Sequence, residues 1–372
     1  MPSLCDPCDE TAAMLLASLE SFVGARHSRA RMRLGATPPA GVLDDRLWRE
    51  MGDLGWLGLR VPDHRGGSGL SLLHAGSLAE GLGRAMLPEP FVACGLLPTA
   101  LLAKLPGRRA EELLGQIMSG AAIATLCWQE RAHQPEYAAG STAWRDGRLT
   151  GVKRFVPNSD RADILLIAAS SRSGLVILEA APDADGITRH LQRTGDGTMR
   201  GEYIFDLAVA TPLAAGAEVR GALSDALDEA TLGEAAYLTG LASTIFGAIV
   251  EHLNMRVQFG QPLSGFQTLR HRAVDLYIEC QLAAASWRRA ARLWGAGEER
   301  QAARAAISAA KARAGEAALR CGRAGVQILG GLGFSEEADM GLGLRLAHQH
   351  AFALGSPTVH RRRFADIAEK AA

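Results

Sequence analysis

The chain has 372 residues, 48% of them hydrophobic, with 40 Lys plus Arg against 40 Asp plus Glu. That balance gives no electrostatic ground for a nucleic-acid or anionic-membrane partner, and the length suits two or three domains with a sizeable core. Six cysteines, Cys5, Cys8, Cys94, Cys127, Cys280 and Cys321, include one close pair, Cys5 and Cys8. That pair lacks the second half of a structural zinc site, so no metal is expected, and the free thiols suit a cytoplasmic compartment.

In chain order, residues 10–116 read as mostly helical. LWREMGDLGWLGL (47–59) has apolar residues at helical spacing and is closed by VPDHRGGSGL, where Pro62 and Gly66-Gly67 make a loop. LLHAGSLAEGLGRAM (72–86) resumes a helix that Pro88 and Pro90 stop, and LLPTALLAKL (96–105) and RRAEELLGQIM (108–118) follow. The acidic start, MPSLCDPCDE, has no apolar segment of the signal-peptide kind. No apolar stretch is expected to span a membrane.

Over 119–215 the period shortens. AAIATLCWQE, GRLTGVKRFVP, ADILLIAAS, GLVILEA and GEYIFDLAVA are β-prone runs, and Asp146-Gly147 is a hairpin turn signal. A small antiparallel β domain is expected there. Long helices return over 218–320, where Leu238, Leu241, Ile245, Ile249 and Leu253 form an apolar stripe and 296–320 is alanine-rich. The chain therefore reads as α+β, with an N-terminal helical domain (1–118), a middle β domain (119–215) and a C-terminal helical bundle (216–372).

Two segments carry candidate chemistry. In MRVQFGQPLSGFQTLRH (255–271), Arg256 suits a phosphate, Gln258 and Gln267 can donate and accept, and Phe259 can pack on a flat ring. Gly260 and Pro262 break one helix and begin the next, freeing backbone N–H groups. A plain helix–helix turn with a surface arginine explains the same residues. In QILGGLGF (327–334), Gly330, Gly331 and Gly333 allow close approach of a ligand or a simple helix C-cap. Glu336-Glu337 can cap a helix or act as a base. The histidines are scattered, and His348 and His350 do not share a helix face. HExxH, a Gly-x-Ser-x-Gly elbow and a Rossmann GxGxxG are all missing.

Several stretches together resemble the acyl-CoA dehydrogenases over nearly the whole chain. They are GWLGLRVPDHRGGSGL (55–70), AEGLGR (79–84), GVKRFVPNSDRADILLIAA, RVQFGQPLSGFQTLRH and QILGGLGF, in the family's order. The resemblance implies the family's fold: an N-terminal helical domain, a middle antiparallel β domain and a C-terminal four-helix bundle. It also implies FAD held between subunits. Arg256 would meet the pyrophosphate, with Phe259, Leu263 and Phe266 near the adenine. Gln327 and the backbone at Gly330 and Gly331 would reach the cofactor from a neighbouring subunit. The implied reaction is α,β-dehydrogenation of an acyl-CoA thioester, with a carboxylate taking the α proton and electron transfer flavoprotein as the acceptor.

The pattern breaks where the family places that carboxylate. The usual Tyr-Glu-Gly-Thr stretch is ALGS here, so Leu354 stands at the base position and Ser356 at the hydroxyl position. A second group in the family carries its base on an earlier helix. That position counts to Ala230, with Glu229 beside it and Glu234 one turn on. In the middle domain, Gln129 and Glu130 replace the usual Thr-Glu-Pro loop residues, and Val156 and Pro157 stand where many relatives offer a hydroxyl. This mixture resembles the non-catalytic subunit of bacterial heteromeric acyl-CoA dehydrogenases of steroid side-chain or dicarboxylic acid degradation. Such a chain completes the FAD site of a homologous, base-carrying partner in an α2β2 assembly. The alternatives are a self-sufficient homomeric enzyme with a relocated glutamate and a structural partner without FAD.

Overall fold

A computed structural model describes residues 7–26, 43–132, 134–138, 140–297, 299–335 and 338–371. In chain order the helices are α1 (Glu10–Arg26), α2 (Asp45–Asp53), α3 (Leu72–Ala85), α4 (Leu97–Leu102) and α5 (Arg108–Met118). Eight strands follow: β1 (Ala124–Cys127), β2 (Ala143–Arg145), β3 (Arg148–Pro157), β4 (Ile164–Ser171), β5 (Gly174–Ala180), β6 (Ile187–Arg193), β7 (Met199–Val209) and β8 (Thr211–Ala215). Then come α6 (Ala217–Met255), a short hairpin of β9 (Val257–Gln258) and β10 (Gln261–Pro262), α7 (Gln267–Ala296), α8 (Arg300–Leu329), α9 (Asp339–Phe352) and α10 (Pro357–Ala371). The chain divides into two compact units. One comprises residues 1–34, 72–87 and 231–372, the other residues 35–71 and 88–230.

The second unit is built on the sheet, ordered β6-β7-β3-β2-β4-β5-β8. Its core is one face of inward residues, including Leu149, Val156, Leu165, Ile167, Val176, Leu178, Tyr203 and Phe205. The expected Asp-Gly turn is present: Asp146 (φ 49) and Gly147 (φ 80) join β2 to β3 in a type I′ hairpin. One expectation is corrected. The sheet is mixed, because β1 and β2 both pair parallel to β4. A parallel pair needs a long crossover rather than a tight turn, and turn signals, which guide the antiparallel reading, do not report it. The short β2 and β8 and the polar edge strand β6 also lie outside the runs expected from the sequence. β6 (ITRHLQR) is exposed over Thr188–Gln192 and half-buried only at Ile187 and Arg193, so it lacks the alternation that marks a strand.

The same unit departs from the expected helix over 47–59. α2 ends at Asp53, and Gly55, at φ 73, turns the chain into a 3-10 turn, Trp56–Gly58. The left-handed conformation is open to glycine without steric cost and ends the helix there. Before α4, Phe91–Leu96 forms a π-helical turn.

In the first unit, α8 packs against α7, α9 and α10, and α3 lies against α1 and α7. The whole apolar stripe of α6, Leu238 to Leu253, is buried. By length and composition alone α6 could cross a membrane, against the sequence expectation, but 72% of its apolar window is buried within the protein. Backbone contact between α3 and α6 depends on two glycines. A Cβ at Gly83 would run into the Tyr237 carbonyl, and one at Gly240 into the Glu80 carbonyl. A Gly240→Ala substitution should therefore cost about 1–3 kcal/mol by overpacking, read as a lower thermal midpoint. An unchanged midpoint would place the two helices further apart than this.

Candidate functional site

The cofactor-type residues of the 255–271 segment all fall in the first unit. Phe259 (φ 53) and Gly260 (φ 80) form the tight turn of the β9–β10 hairpin. This hairpin, followed by a 3-10 turn at Leu263–Gly265, delays the next helix to Gln267, so Pro262 does not itself begin that helix. Phe259 is 91% exposed, and its ring stands edge-on to Phe266 at 6.2 Å. The turn thus leaves one aromatic face open to solvent. Arg256 is exposed, and its backbone carbonyl accepts from the Leu263 N–H at 2.8 Å, which closes the hairpin base. Gln258 and Gln267 are exposed; the Gln258 amide donates to the Val257 carbonyl. α7 starts at Gln267 with no side-chain cap, so its first N–H groups make an anion-favouring end.

At the second motif, α8 ends at Leu329. Gly330 (φ 61) turns the chain, and its N–H donates to the Val326 carbonyl. A single helical turn, Gly331–Phe334, follows. A Cβ at Gly330 or Gly331 would meet nothing within 4 Å, and Gln327 is exposed beside them. The turn is thus both a helix cap and an open approach. Glu336 and Glu337 lie outside the described residues, as do Cys5 and His133. The donor set present fits an anionic dinucleotide at its phosphate and adenine end: a guanidinium, amides, an uncapped helix start, an exposed aromatic and an open glycine turn.

Leu354 is held in a left-handed backbone conformation, φ 56, which is costly for a side chain with a Cβ. The surroundings force it. Lys311, fully buried, donates from Nζ to the carbonyls of His350 (3.0 Å), Ala351 (2.9 Å) and Gly355 (3.2 Å). His360 Nε2 donates to the Leu354 carbonyl at 2.9 Å. Burial lowers the Lys311 ammonium to about 8, with Glu234 acting to raise it. Burial also lowers His360 to about 3, helped by Lys311 and Arg363. Ser356 is buried, and its hydroxyl accepts from the Val359 N–H at 3.3 Å, which makes it the N-cap of α10 with Pro357 at the first helical position.

Glu229 and Glu234, the two carboxylates near the alternative base position, are both engaged. In the second unit, Glu229 is 3% exposed and accepts from Arg60 Nε and Lys104 Nζ, each at 3.1 Å. Burial acts to raise its pKa, and the two cations more than offset this, so it lies below the ordinary value. A carboxylate so held is a weak base. In the first unit, Glu234 Oε2 lies 2.8 Å from His350 Nδ1. Ala230 is fully buried. His350, Tyr237, Lys311 and His360 are the residues that sequence reasoning passed over. No local sequence pattern marks them, because the partners of the first three lie far along the chain.

In the second unit, Glu130 is turned inward. It accepts from the Ser141 N–H (2.6 Å) and hydroxyl, the Thr142 N–H (3.1 Å) and Lys153 Nζ (2.8 Å). Burial acts to raise Glu130, but Lys153 and these N–H donors hold it at about 2. At Lys153 burial prevails over the same pairing and lowers the ammonium. Tyr137 lies against both Lys153 and Arg220, at 5.7 and 5.6 Å. Gln129 donates to the Gln134 carbonyl. Val156 is buried in the sheet core, and β3 ends at Pro157. These side chains bind one another rather than presenting polar groups outward.

Comparison with known proteins shows the family. The acyl-CoA dehydrogenase N-terminal domain model matches residues 9–104, and the C-terminal domain model matches residues 221–368. The chain is 31% identical to the acyl-CoA dehydrogenase IpdE2 of Mycolicibacterium smegmatis over 323 residues, which is 86% of this chain and 87% of that one. The chain belongs to the acyl-CoA dehydrogenase family. IpdE2 of Mycobacterium tuberculosis is 29% identical over 357 residues, 95% of this chain and 96% of that one. Among solved structures, a variant of the steroid ACAD Tcur3481–Tcur3483 superposes with a TM-score of 0.85 at 25% identity, covering 97% of this chain and 98% of that one.

Two outcomes follow for this member of the acyl-CoA dehydrogenase family. Arg256→Ala should lower flavin retention, read as the absorbance ratio after gel filtration, well before it lowers the unfolding midpoint; unchanged occupancy would exclude a phosphate role. His360, neutral in the folded chain, takes up a proton only on unfolding below about pH 6.5. Its contribution is therefore complete above that value and is lost as pH falls toward about 3. The urea midpoint should drop between about pH 7 and about pH 5 by an equivalent of about 2 kcal/mol, and His360→Gln should flatten that interval.

Proposed function

We propose that this chain is a subunit of an FAD-dependent acyl-CoA dehydrogenase in which it completes the cofactor cradle of a homologous chain that carries the catalytic carboxylate. FAD is the family's cofactor, and the 256–267 hairpin and the Gly330 turn fit its phosphate and adenine end. FAD, when bound, supplies the acceptor for the β hydride. The single observation that carries the reading is chemical. The two positions where the family places its base hold Leu354 and Ala230, which no environment can make basic. Glu229, beside one of them, is committed to Arg60 and Lys104.

In this reading Lys311 and His360 hold the Leu354 turn rigid, Arg256 positions the diphosphate, and Phe259 packs at the adenine. The inward network of Glu130, Lys153 and Tyr137 leaves the flavin-ring side to the partner. The steroid ACAD relative, named for Tcur3481 and Tcur3483 together, supports pairing with a homologous chain and a steroid-type substrate class; the assembly proposed is α2β2 and the substrate a side-chain thioester. Electron transfer flavoprotein is the acceptor that the family chemistry implies. One observation favours a second reading, a self-sufficient enzyme with a relocated glutamate: Glu234 is a buried carboxylate in the same unit as Leu354.

Co-expression with homologous acyl-CoA dehydrogenase chains that carry a glutamate at the Leu354 position tests the assignment. Co-purification, with flavin bleached by acyl-CoA only when the second chain is present, is the expected result. Full-rate bleaching by this chain alone would replace the first reading with the second. Within the complex, Leu354→Ala should change turnover by less than about tenfold, or about 1.4 kcal/mol of barrier.

A further inference from the structure

The first unit contains a preorganised pair of groups that the reading above does not use. Glu234, on α6, is 4% exposed. Its Oε2 is 2.8 Å from Nδ1 of His350, in the last turn of α9. Two contacts fix the imidazole. Besides the carboxylate, the Tyr237 ring stacks on it with centroids 4.0 Å apart and planes at 27°. The Tyr237 hydroxyl donates to the Leu87 carbonyl at 3.1 Å, which anchors that ring. The backbone carbonyl of His350 is itself held by Lys311.

An ionised carboxylate only accepts hydrogen bonds, so Nδ1 is the donor to Glu234, and whenever the ring is neutral it is Nε2 that presents the lone pair. Among the described residues Nε2 has no hydrogen-bond partner, and the His350 side chain keeps 24% exposure. This is the arrangement in which an imidazole serves as a proton acceptor oriented by a buried acid. Among the described residues, the charged group that meets the ring is Glu234 on α6, and Lys311 on α8 binds the backbone carbonyl of His350. Its place along the chain is equally specific. His350 lies in the last turn of α9, four residues before Leu354, and Lys311 Nζ holds the His350 and Gly355 carbonyls together, which sets the Leu354 turn beside it.

We propose that Glu234 and His350 form a proton-accepting dyad for an acyl thioester held beside Leu354. His350 Nε2 takes the proton from the carbon next to the thioester carbonyl, and Glu234 is the positioning residue. The C–H bond breaks, its electron pair remains on the thioester as the enolate, and the proton rests on Nε2 as imidazolium facing Glu234. This step needs no oxidant and is reversible. It rests on the reading that the chain handles acyl-CoA, and it goes beyond it by giving a chain without the usual base its own route to the enolate.

The test is α-proton exchange in D2O on tert-butylacetyl-CoA, whose β carbon bears no hydrogen, by the full-length chain expressed without a partner. Mass spectrometry should find catalysed deuterium uptake. His350→Gln should reduce it by at least about a hundredfold, and Glu234→Gln by about tenfold. Added imidazole should restore exchange to His350→Ala, which a purely structural histidine would not allow. Flavin content and partner co-purification, measured separately on wild-type protein, test the cofactor and subunit reading without reference to exchange. Exchange at the background rate in the wild type, or at the wild-type rate in a folded His350→Gln, overturns the dyad.

Discussion

One buried ammonium organises the part of the molecule on which its chemistry depends. Lys311 has no exposed surface and spends its hydrogens on three carbonyls, those of His350, Ala351 and Gly355. These are the acceptors that the end of α9 and the turn after it would otherwise leave unsatisfied. Without the cation three polar groups would be stranded in the interior, at a cost of about 1–3 kcal/mol each. Burial draws the ammonium down toward about 8, and the Glu234 carboxylate acts against that. With His360 donating to the next carbonyl along, the turn is determined by its backbone contacts. It can therefore hold a leucine in a left-handed conformation that leucine would not choose.

That rigidity separates the shape of the site from its reactivity. The turn keeps its geometry while the residue at its apex is a hydrocarbon. The same economy recurs in the buried acids. Glu229 is neutralised by Arg60 and Lys104, and Glu130 by Lys153 and two backbone N–H groups. Each is a satisfied structural charge with its basicity spent on its partners. Glu234 differs, because its partner is an imidazole that passes the effect of the carboxylate on to a second, open nitrogen. A carboxylate opposite lysine ends a chain of interactions, whereas one opposite histidine can continue it.

How much of this was legible in the sequence varied with the range of the signal. The Asp146-Gly147 hairpin, the apolar stripe of α6 and the glycine stop after Leu329 were readable because each is written in a few neighbouring residues. The Phe259-Gly260 turn was read only as a helix break, since a hairpin with two-residue strands leaves no alternation to see. The parallel pairing of β1 with β4 joins strands separated by a hairpin and carries no local mark. β6 was missed because an exposed edge strand needs no buried face.

By itself the sequence determined the family, the order of its motifs, and the absence of a carboxylate at positions 354 and 230. These are matters of residue identity and short spacing, which no folding can alter. Only the tertiary structure decided which groups meet. His350 and Glu234 are 116 residues apart, Lys311 lies about 40 from the carbonyls it binds, and Glu229 is 169 from Arg60. Contacts at such separations are products of packing, because loop closure and burial rather than local propensity bring them together. In this chain they turned a glutamate near the expected base position into a salt bridge and put a histidine without a motif beside the other.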